Sequence, residues 1–508
     1  MATRAVEREA KLDVGLDFAL PALGGVVAGV VESELPRSEL VATYFDTSDR
    51  RLLQRGITLR HRRDRARPGD QGEWTLKLPI SSDGALLERN ELSWPGDASA
   101  VPDQATRLVR AVVRHRRLGP LVRLITSRRR VEIRGPDGRR LAEVDDDTVA
   151  VMDGLELADR FREVEVELEA GDDALLDSLV ARLAAAGAVP AAGVPKVARA
   201  LGSQTTTGDR PALGPDSPLN QVVTAAVAAG VERLVSHDIG VRTAADPEDV
   251  HQARVATRRL RSDLRTFADA LDPPWTQRVR DGLRWVGEAL GRVRDADVLA
   301  ERLWTDAAEE LTEVDRLGLA PLKQRLEEER QEAYAELLSV LDDDRYVDLL
   351  DELTADPLPF TTSGEDGAGA DRPAGEALVP LVRRPSKKLR RAVARLGEQP
   401  SDLELHQVRI RAKRLRYAAE AATPVVGPAA RRLAGAAADL QDVLGAHHDA
   451  VTAEAWLRRA ADTTPAGRAL LVAGQLVAGQ RHEQARLRHA WGPVWEALDA
   501  KRLRRWLT

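Results

Sequence analysis

The sequence predicts a protein of two domains, an antiparallel α+β domain followed by an all-α domain. In residues 1–203, short runs that alternate apolar and polar side chains are separated by Gly, Pro and Asp, as is typical of antiparallel strands. From residue 218 onward, apolar residues recur every three or four positions, as is typical of helices. A chain of 508 residues is also too long for a single hydrophobic core.

The composition narrows the class of protein. The chain has no cysteine, which excludes disulfides, thiolate nucleophiles and Cys-based zinc sites and fits a reducing compartment, so we expect a cytoplasmic protein. We expect neither a signal peptide nor a membrane span, because long uncharged apolar runs are missing. The net charge of −6 hides sharp clusters of arginine, and these predict discrete anion sites rather than a general nucleic-acid binder.

The first domain is predicted to consist mainly of strands. In chain order we expect a helix over residues 17–31, strands over 41–45, 56–62, 74–78 and 88–94, a helical stretch over 106–113, strands over 121–133, 140–144 and 161–169, and a helix over 174–186. These spacings predict an antiparallel α+β domain that can close into a barrel.

Charged side chains in these strands follow the period of two that a strand imposes. Glu7, Glu9 and Lys11 share one face of the first strand. The later strands repeat the pattern with Arg60 and Arg62, Lys77, Arg89 and Glu91, Arg128 and Arg130, and Glu163, Glu165 and Glu167. For any one strand, a solvated outer face is the simplest interpretation. For the set, in which some strands carry carboxylates and others bases, we favour a polar lumen that holds metal ions and a phosphate chain.

Specific motifs accompany this pattern. The segment Glu7-Arg8-Glu9-Ala10-Lys11 has the form ExExK. It is followed by Tyr44-Phe45-Asp46-Thr47, Leu59-Arg60-His61-Arg62, Trp74-Thr75-Leu76-Lys77, Arg128-Arg129-Arg130, Glu163-Val164-Glu165 and Val194-Pro195-Lys196. Residues 4–203 thereby resemble the CYTH superfamily, also called triphosphate tunnel metalloenzymes. The resemblance implies an eight-stranded antiparallel tunnel that binds a triphosphate with Mg²⁺ or Mn²⁺.

The resemblance also implies roles, position by position. The implied metal ligands are Glu7, Glu9, Asp145, Glu163 and Glu165, with Glu143 as a further candidate. The implied phosphate ligands are Lys11, Arg60, Arg62, Lys77, Arg128, Arg130 and Lys196. The catalytic set is Glu7, Glu9 and Lys11. The implied reaction is hydrolysis of a terminal phosphoanhydride, with inorganic tripolyphosphate as the leading substrate, by in-line attack of metal-bound water. Positioning and electrostatics carry such a reaction, so no Ser, Cys or His nucleophile is needed.

The second domain contains an internal repeat. A polar, Gly- and Pro-rich linker over residues 204–217 precedes it, and a similar stretch over 361–375 separates two halves, 218–360 and 376–508. The segments that begin at His251 and at His406 both read HQxR-aliphatic-x-x-basic-RLR. Each is followed, about forty residues after its His, by Leu-Gly, so we infer a duplicated helical unit.

Each repeat places like charges on one helix face. One stripe at spacings of three and four consists of His251, Arg254, Arg258, Arg261 and Arg265. Because like charges at this spacing repel, either acids on neighbouring helices or a bound polyanion must offset the stripe. Each helix alone leaves both interpretations open, and the presence of two copies, each beginning with His, favours a binding surface.

Residues 215–508 resemble the CHAD domain, an α-helical domain named for its histidines, and the two repeats carry the resemblance. CHAD domains are associated with polyphosphate binding along a basic groove between two helical bundles. The resemblance assigns this role to His251, Arg254, Arg258, Arg261, His406, Arg409, Lys413 and Arg416, and less directly to Arg259 and Arg414.

Other functions share these features. A class IV adenylate cyclase would use the same tunnel, with attack by the ribose 3′-hydroxyl in place of water. A non-catalytic polyphosphate scaffold would bind without turnover, and Glu7→Ala would leave every activity unchanged. Nucleic-acid binding by the arginine stripes is disfavoured, because the interleaved aromatic residues that stack bases are missing. The oligomeric state, the metal used in the cell and any coupling between the domains do not follow from the sequence.

Overall fold

A computed structural model divides the chain into two compact units, residues 1–209 and 210–508. It describes residues 3–67, 69–83, 86–191, 195–202, 212–306, 311–361, 370–463 and 467–507. For residues 3–7, 80–83, 86–88, 306 and 463 the description is confined to the backbone. Most of the predicted linker and of the predicted stretch between the halves lies outside these ranges. Across the described ranges, the helices lack the combination of length and apolar character that crossing a bilayer requires.

The first unit is built on nine antiparallel strands. They are β1 Thr3–Val14, β2 Val31–Asp46, β3 Thr58–Asp64, β4 Glu73–Asp83, β5 Leu86–Pro95, β6 Gly119–Arg134, β7 Arg140–Asp153, β8 Glu156–Leu168 and β9 Val189–Pro190. Their order is β5-β4-β3-β2-β6-β7-β8-β1-β9, and β1 also pairs with β5. The first eight strands therefore form a ring in which each has two partners. The predicted antiparallel sheet is confirmed, but the predicted eight strands become nine, because the two-residue β9 adds to β1.

The strands turn their apolar faces outward and their charged faces inward. Val144, Val164 and Val166 form one buried cluster with Leu175 and Leu179 of α3, which spans Asp173–Ala185. Because side chains alternate along a strand, the carboxylates between these valines point into the ring. The side chain of Asp172 accepts a hydrogen bond from the backbone N–H of Leu175 and so fixes the start of α3.

The predicted helix over residues 17–31 is wrong. Turns occupy this stretch until β2 begins, and Gly25 and Gly29 have φ of 76° and 80°, which an α-helix does not allow. The Glu32 carboxylate instead accepts hydrogen bonds from the backbone N–H groups of Leu23 and Gly24, at 2.5 and 2.9 Å. The predicted strand over 41–45 is the second part of β2, and the predicted helical stretch over 106–113 forms two short helices, α1 Asp103–Leu108 and α2 Arg110–Val113.

A short helix, α4 Lys196–Ala200, fills one end of the ring. Val149 and Val151 follow Asp145 in β7 by four and six residues. Because side chains alternate along a strand, all three lie on the same inward face. They form a buried cluster with residues 197 and 198 of α4. The lumen is therefore apolar and occupied at this end, and charged and open along the rest of its described length.

The second unit is helical, as predicted. Its helices are α5 Leu219–Thr243, α6 Pro247–Thr266, α7 Pro273–Glu301, α8 Glu313–Arg316, α9 Ala320–Asp342, α10 Asp344–Leu353, α11 Ala374–Val393, α12 Asp402–Val426, α13 Pro428–Thr463, α14 Arg468–Leu498 and α15 Lys501–Arg504. Helix α11 begins inside the stretch predicted to separate the halves, whose residues 362–369 lie outside the described ranges.

The sequence repeat corresponds to a repeated packing arrangement. In the first half, a Cβ added to Gly291 of α7 would lie 3.8 Å from the guanidinium of Arg254 on α6. In the second half, a Cβ added to Gly445 of α13 would lie 3.6 Å from the Nε of Arg409 on α12. The shared Leu-Gly downstream of each His is thus the site where the next helix packs beneath the corresponding arginine.

Two carboxylates, Glu420 and the buried Asp263, lie where the two halves of the helical unit meet. Glu420 of α12 binds Arg259 of α6 at 2.8 Å and Arg416 at 2.7 Å. Asp263 of α6 has no exposed surface, and the Nε of Arg259 lies 3.7 Å from one of its oxygens. Neither of its oxygens accepts a hydrogen bond from a described residue. Burial raises the pKa of Asp263 to about 7, against the opposing effect of Arg259 and with the added effect of Glu420.

This raised pKa predicts that stability falls as pH rises. Because an unfolded Asp titrates near 3.9, the folded chain binds the extra proton between about pH 4 and pH 7, and its advantage is lost as pH passes through 7. We expect Asp263→Asn to raise the melting temperature of the full chain at pH 8 by roughly 2–5 °C and to raise it by a smaller amount at pH 5, where only part of the proton's contribution has been lost. Calorimetry at both pH values measures this, with the exposed Asp439→Asn on α13 as the matched control. Equal shifts at both pH values, or the same shift in the control, would contradict it.

Candidate active site

The lumen of the first unit contains a cavity of about 600 Å³. Its lining includes side chains from β1 to β8 together with Lys196 of α4. Acidic and basic side chains occur in nearly equal number, so net charge does not distinguish this cavity. The feature that distinguishes it is the placement of carboxylates on β8 opposite the arginines of β3.

One wall is acidic. Asp147 of β7 and Glu163 and Glu165 of β8 are buried, and each offers a carboxylate oxygen within 4.8 Å of the others. Such a group of hard oxygen donors is what Mg²⁺ and Mn²⁺ require, so the cluster can bind a metal ion. Two nearby oxygens, Asp145 Oδ1 and Glu9 Oε1, are also buried and accept no hydrogen bond from the described residues. The residues present therefore fit a divalent cation.

Three cations offset this wall. Lys196 Nζ lies 2.6 Å from both Asp147 and Glu165 and 3.1 Å from Glu163. Lys11 Nζ contacts Glu165 at 2.5 Å. Arg128 donates two hydrogen bonds to Asp147, at 2.7 and 2.8 Å. Because a buried carboxylate without a partner costs several kcal/mol, these pairs are what allows the acidic wall to exist.

The pKa values of the carboxylates reflect this competition. Burial would raise the pKa of Glu165, but Lys11, Lys196 and Arg128 together hold it well below its usual range. Burial raises the pKa of Asp145 to about 8, since the nearby Asp147 and Glu143 add to burial and outweigh Arg128. Arg130 is the partner of Glu143, with two hydrogen bonds of 2.7 and 2.9 Å.

The facing wall is basic. Arg60 and Arg62 alternate along β3 and both line the cavity. The adjacent Arg60 lowers the pKa of Arg62 to about 10, with burial as the second cause. Burial would raise the pKa of Tyr44 on β2, but Arg60 and Lys196 outweigh it and lower that pKa. Two guanidinium groups held this close favour an anion between them and the acidic wall.

Other side chains predicted from sequence also line this cavity. Lys77 of β4 binds Glu91 of β5 at 3.2 Å, and Arg89 of β5 approaches Glu9 at 3.5 Å. The side chain of Glu7 lies outside the described residues, although its Cα pairs with that of Arg89. All the other predicted lumen ligands are brought together.

Sequence reasoning missed Asp147 and Tyr44. Asp147 follows Asp145 by two positions, so the strand period that placed Asp145 in the lumen also places Asp147 there. It is the more deeply engaged of the two, since Arg128 and Lys196 both bind it. Tyr44 belongs to the segment Tyr44-Phe45-Asp46-Thr47, but nothing in that segment indicates that its phenol lies among the cations of the lumen.

The second unit gathers its predicted basic residues from α6 and α12. Burial and three arginines, Arg409, Arg258 and Arg254, lower the pKa of Lys413 to about 7. Arg258 of α6 stacks on the ring of Tyr417 of α12 at 5.7 Å, so the two helices contribute to one basic surface.

Acids offset part of this surface. Arg254 binds Asp295 at 2.7 Å and Arg416 binds Glu420 at 2.7 Å. Burial lowers the pKa of Arg409, and Arg258 and Arg254 add to this against Asp449. The Nε atoms of Arg258 and Arg409 are buried without a hydrogen-bond acceptor among the described residues. Acids on neighbouring helices therefore offset part of the stripe, and binding of a polyanion by the remaining cations stays a prediction.

The repeat histidines are not cationic near neutral pH. The rings of His406 and His448 stack with their centroids 4.4 Å apart. Burial, Arg409 and His406 lower the pKa of His448 to about 4. Burial and Arg294 lower the pKa of His251. Burial lowers the pKa of Arg261, and the nearby Arg284 and Arg280 of α7 add to this effect.

Known proteins match both units. The family model for the CYTH domain matches residues 7–200, and the model for the CHAD domain matches residues 225–458. An uncharacterized protein of Mycobacterium tuberculosis, Rv2226, is 35% identical over 470 residues, which cover 88% of this chain and 87% of that protein.

Two solved structures are similar to part of the chain. PptA from Streptomyces chartreusis is 27% identical and covers 55% of this chain and 100% of its own, with a TM-score of 0.46. The CHAD domain from the plant Ricinus communis is 26% identical and covers 59% of this chain and 94% of its own, with a TM-score of 0.43.

The acidic cluster predicts a metal-dependent gain in stability. Since an ion that binds the folded chain stabilises it, we expect Mn²⁺ to raise the melting temperature of the full chain. Asp147→Asn should weaken the apparent Mn²⁺ affinity by roughly tenfold or more, because it removes one carboxylate of the cluster. Asp146→Asn is the matched control, since Asp146 is the adjacent buried residue and its carboxylate binds Arg162 at 2.8 Å. Equal Mn²⁺ responses in the two variants would exclude the cluster as the ion site.

Proposed function

This chain belongs to the family of proteins in which a CYTH domain is followed by a CHAD domain, and we propose that its tunnel hydrolyses inorganic tripolyphosphate and its helical unit binds polyphosphate. The proposal is carried by a 600 Å³ cavity whose lining includes Glu165 of the carboxylate cluster, with Glu9 and Asp145, and also the pair Arg60 and Arg62 of β3. A bare polyanion would be repelled by the first wall, and a bare cation by the second. A phosphate chain bound together with a divalent cation satisfies both.

The cofactor proposed is Mg²⁺ or Mn²⁺, held by Asp147, Glu163 and Glu165. When bound, it would add positive charge to that of Lys196, Lys11 and Arg128, and it would act as a Lewis acid toward the phosphoanhydride. The further candidates for this shell are Glu9 and Asp145, each of which has one buried oxygen, Oε1 and Oδ1 respectively, that accepts no hydrogen bond from the described residues.

The protein's own groups position the phosphate. Arg60 and Arg62 offer guanidinium forks to the phosphoryl oxygens, which suits bidentate binding. Lys77, held by Glu91, and Lys11, held by Glu165, act as fixed point charges along the chain. Because the reacting charge spreads over several oxygens, this fixed arrangement stabilises the transition state, and the nucleophile is water. A cytoplasmic location is part of the proposal and rests on the absence of cysteine from the sequence.

A substrate panel tests the catalytic proposal. With Mg²⁺ or Mn²⁺, we expect the full chain to release phosphate from tripolyphosphate and to form little cyclic AMP from ATP. Arg62→Gln should lower kcat/KM by roughly 10²–10³, because it removes a fixed charge from the phosphate site. The exposed Arg139→Gln in the same unit is the control. Cyclic AMP as the main product would instead support the cyclase, and binding without any turnover would support a scaffold.

The helical unit is proposed to bind polyphosphate through Arg254, Arg258, Arg409 and Lys413. Supporting this, these cations come from two helices, and the Nε atoms of Arg258 and Arg409 are buried without an acceptor among the described residues. His251, His406, Arg261 and Arg416 are proposed to extend the groove. The neutral histidines would donate hydrogen bonds to phosphate rather than charge.

Lys413 predicts a pH dependence of this binding. With a pKa of about 7, Lys413 is protonated below pH 7 and neutral above it, so the affinity for long polyphosphate should fall as pH rises from 6 to 8. Lys413→Arg keeps its charge across this range and should remove most of the fall. Binding of labelled polyphosphate to the full chain at several pH values measures it. Parallel curves for the wild type and Lys413→Arg would show that Lys413 is not part of the groove.

A further inference from the structure

A second basic pocket lies in the helical unit, separate from the groove. It has a volume of about 190 Å³ and is formed by the last turn of α6, by α11 and by α12. Its charged lining consists of Arg265, Arg384, Lys388, Arg411, Arg414 and one acid, Asp269. None of the eight residues assigned directly to the groove lines it, although Arg265 belongs to the α6 stripe and the resemblance assigns Arg414 less directly to the groove.

The geometry of α12 separates the pocket from the groove. Successive residues of an α-helix are rotated by about 100°, so Lys413 and Arg414 point to different sides of the helix. Lys413 lies with Arg409, Arg258 and Arg254, whereas Arg414 lines the pocket. The two cation sets thus occupy different faces of the same helix.

The positive charge of the pocket is poorly compensated. Asp269 binds Arg384 at 2.8 Å, and Arg411 donates to the backbone oxygen of Gln407. No hydrogen bond or ion pair to another described residue is found for the side chains of Arg265, Lys388 or Arg414. Burial lowers the pKa of Arg265, with the repulsion of Arg414 as the next cause. An anion in the pocket would offset this repulsion.

The floor and the size of the pocket limit what it can hold. Leu381 and Pro385 of α11 contribute apolar lining. Pro385 lies inside the helix, where it has no N–H for the carbonyl of Leu381, and such a proline bends or opens a helix. The volume is about a third of that of the tunnel cavity, which suits a compact anion better than an extended chain.

We propose that this pocket is a second anion site, which binds a short phosphate anion of the size of pyrophosphate. It is independent of the groove and of the tunnel, so neither polyphosphate binding nor hydrolysis is a condition for it. Three side chains from three helices, Arg265, Lys388 and Arg414, converge on the anion.

Two pairs of adjacent residues provide the test. Equilibrium dialysis of the full chain with labelled pyrophosphate counts the sites in the wild type and in each variant. Lys388→Ala should weaken one class of site by roughly tenfold or more. Lys387→Ala should not, because Lys387 is exposed like Lys388 but lies outside the pocket lining. Arg414→Gln should remove the same class, and Lys413→Ala should leave it intact.

The outcomes separate this proposal from the function proposed above. Wild-type site counts in both Lys388→Ala and Arg414→Gln would overturn it, as would an equal loss in Lys387→Ala. Loss of the pyrophosphate site in Lys413→Ala would show that pocket and groove are one site and would also overturn it. Binding of long polyphosphate is measured in parallel, and its failure alone would affect the groove and leave the pocket proposal standing.

Discussion

The first unit depends on the neutralisation of carboxylates that its strands turn inward. Three carboxylates are buried beside one another, those of Asp147, Glu163 and Glu165. Their burial costs less free energy because three cations pair with them, Lys196, Lys11 and Arg128. The apolar faces of the same strands point outward, where α3 covers part of them. In a ring of this kind, the hydrophobic core lies on the outer faces of the strands and the charged side chains line the lumen. It follows that a substitution in the lumen acts on folding and on binding together, which is why the adjacent Asp146 is a more informative control than a distant surface residue.

The helical unit solves a related problem differently. It carries stripes of like charge on two equivalent helices, and it satisfies them only in part with acids such as Asp295 and Glu420. Burial then shifts the balance further, so that Lys413 is half neutral at the pH of most assays while the arginines around it stay charged. The two units therefore have opposite designs. The tunnel pairs its charges closely within a cavity, and the helical surface leaves several cations unsatisfied.

Much of this could be read from the sequence because charge alternates with the period of the strand. That period placed Arg60 and Arg62 on one face and Glu163 and Glu165 on another, and the structure brings these faces together. The repeat predicted that α6 and α12 would be equivalent, and Arg254 and Arg409 pack alike over Gly291 and Gly445. The helix expected over residues 17–31 failed because two glycines adopt positive φ, a backbone property that composition alone does not fix. Arg265 and Arg414 lie far apart in sequence, so no local pattern could indicate that they share a pocket.

Helix α4 limits how a molecule can pass through the lumen. Its residues Val197 and Ala198 occupy one end of the ring, and Lys196, at its first position, reaches the acidic cluster from that end. In the described part of the unit, a linear molecule would thus enter and leave the lumen through the same opening, at the end that α4 does not occupy. Threading from one side to the other is sterically blocked while α4 stays in place. A long polymer could present its tip to the cluster, but its interior linkages would stay out of reach, and each cleaved fragment would have to leave before the shortened end could advance.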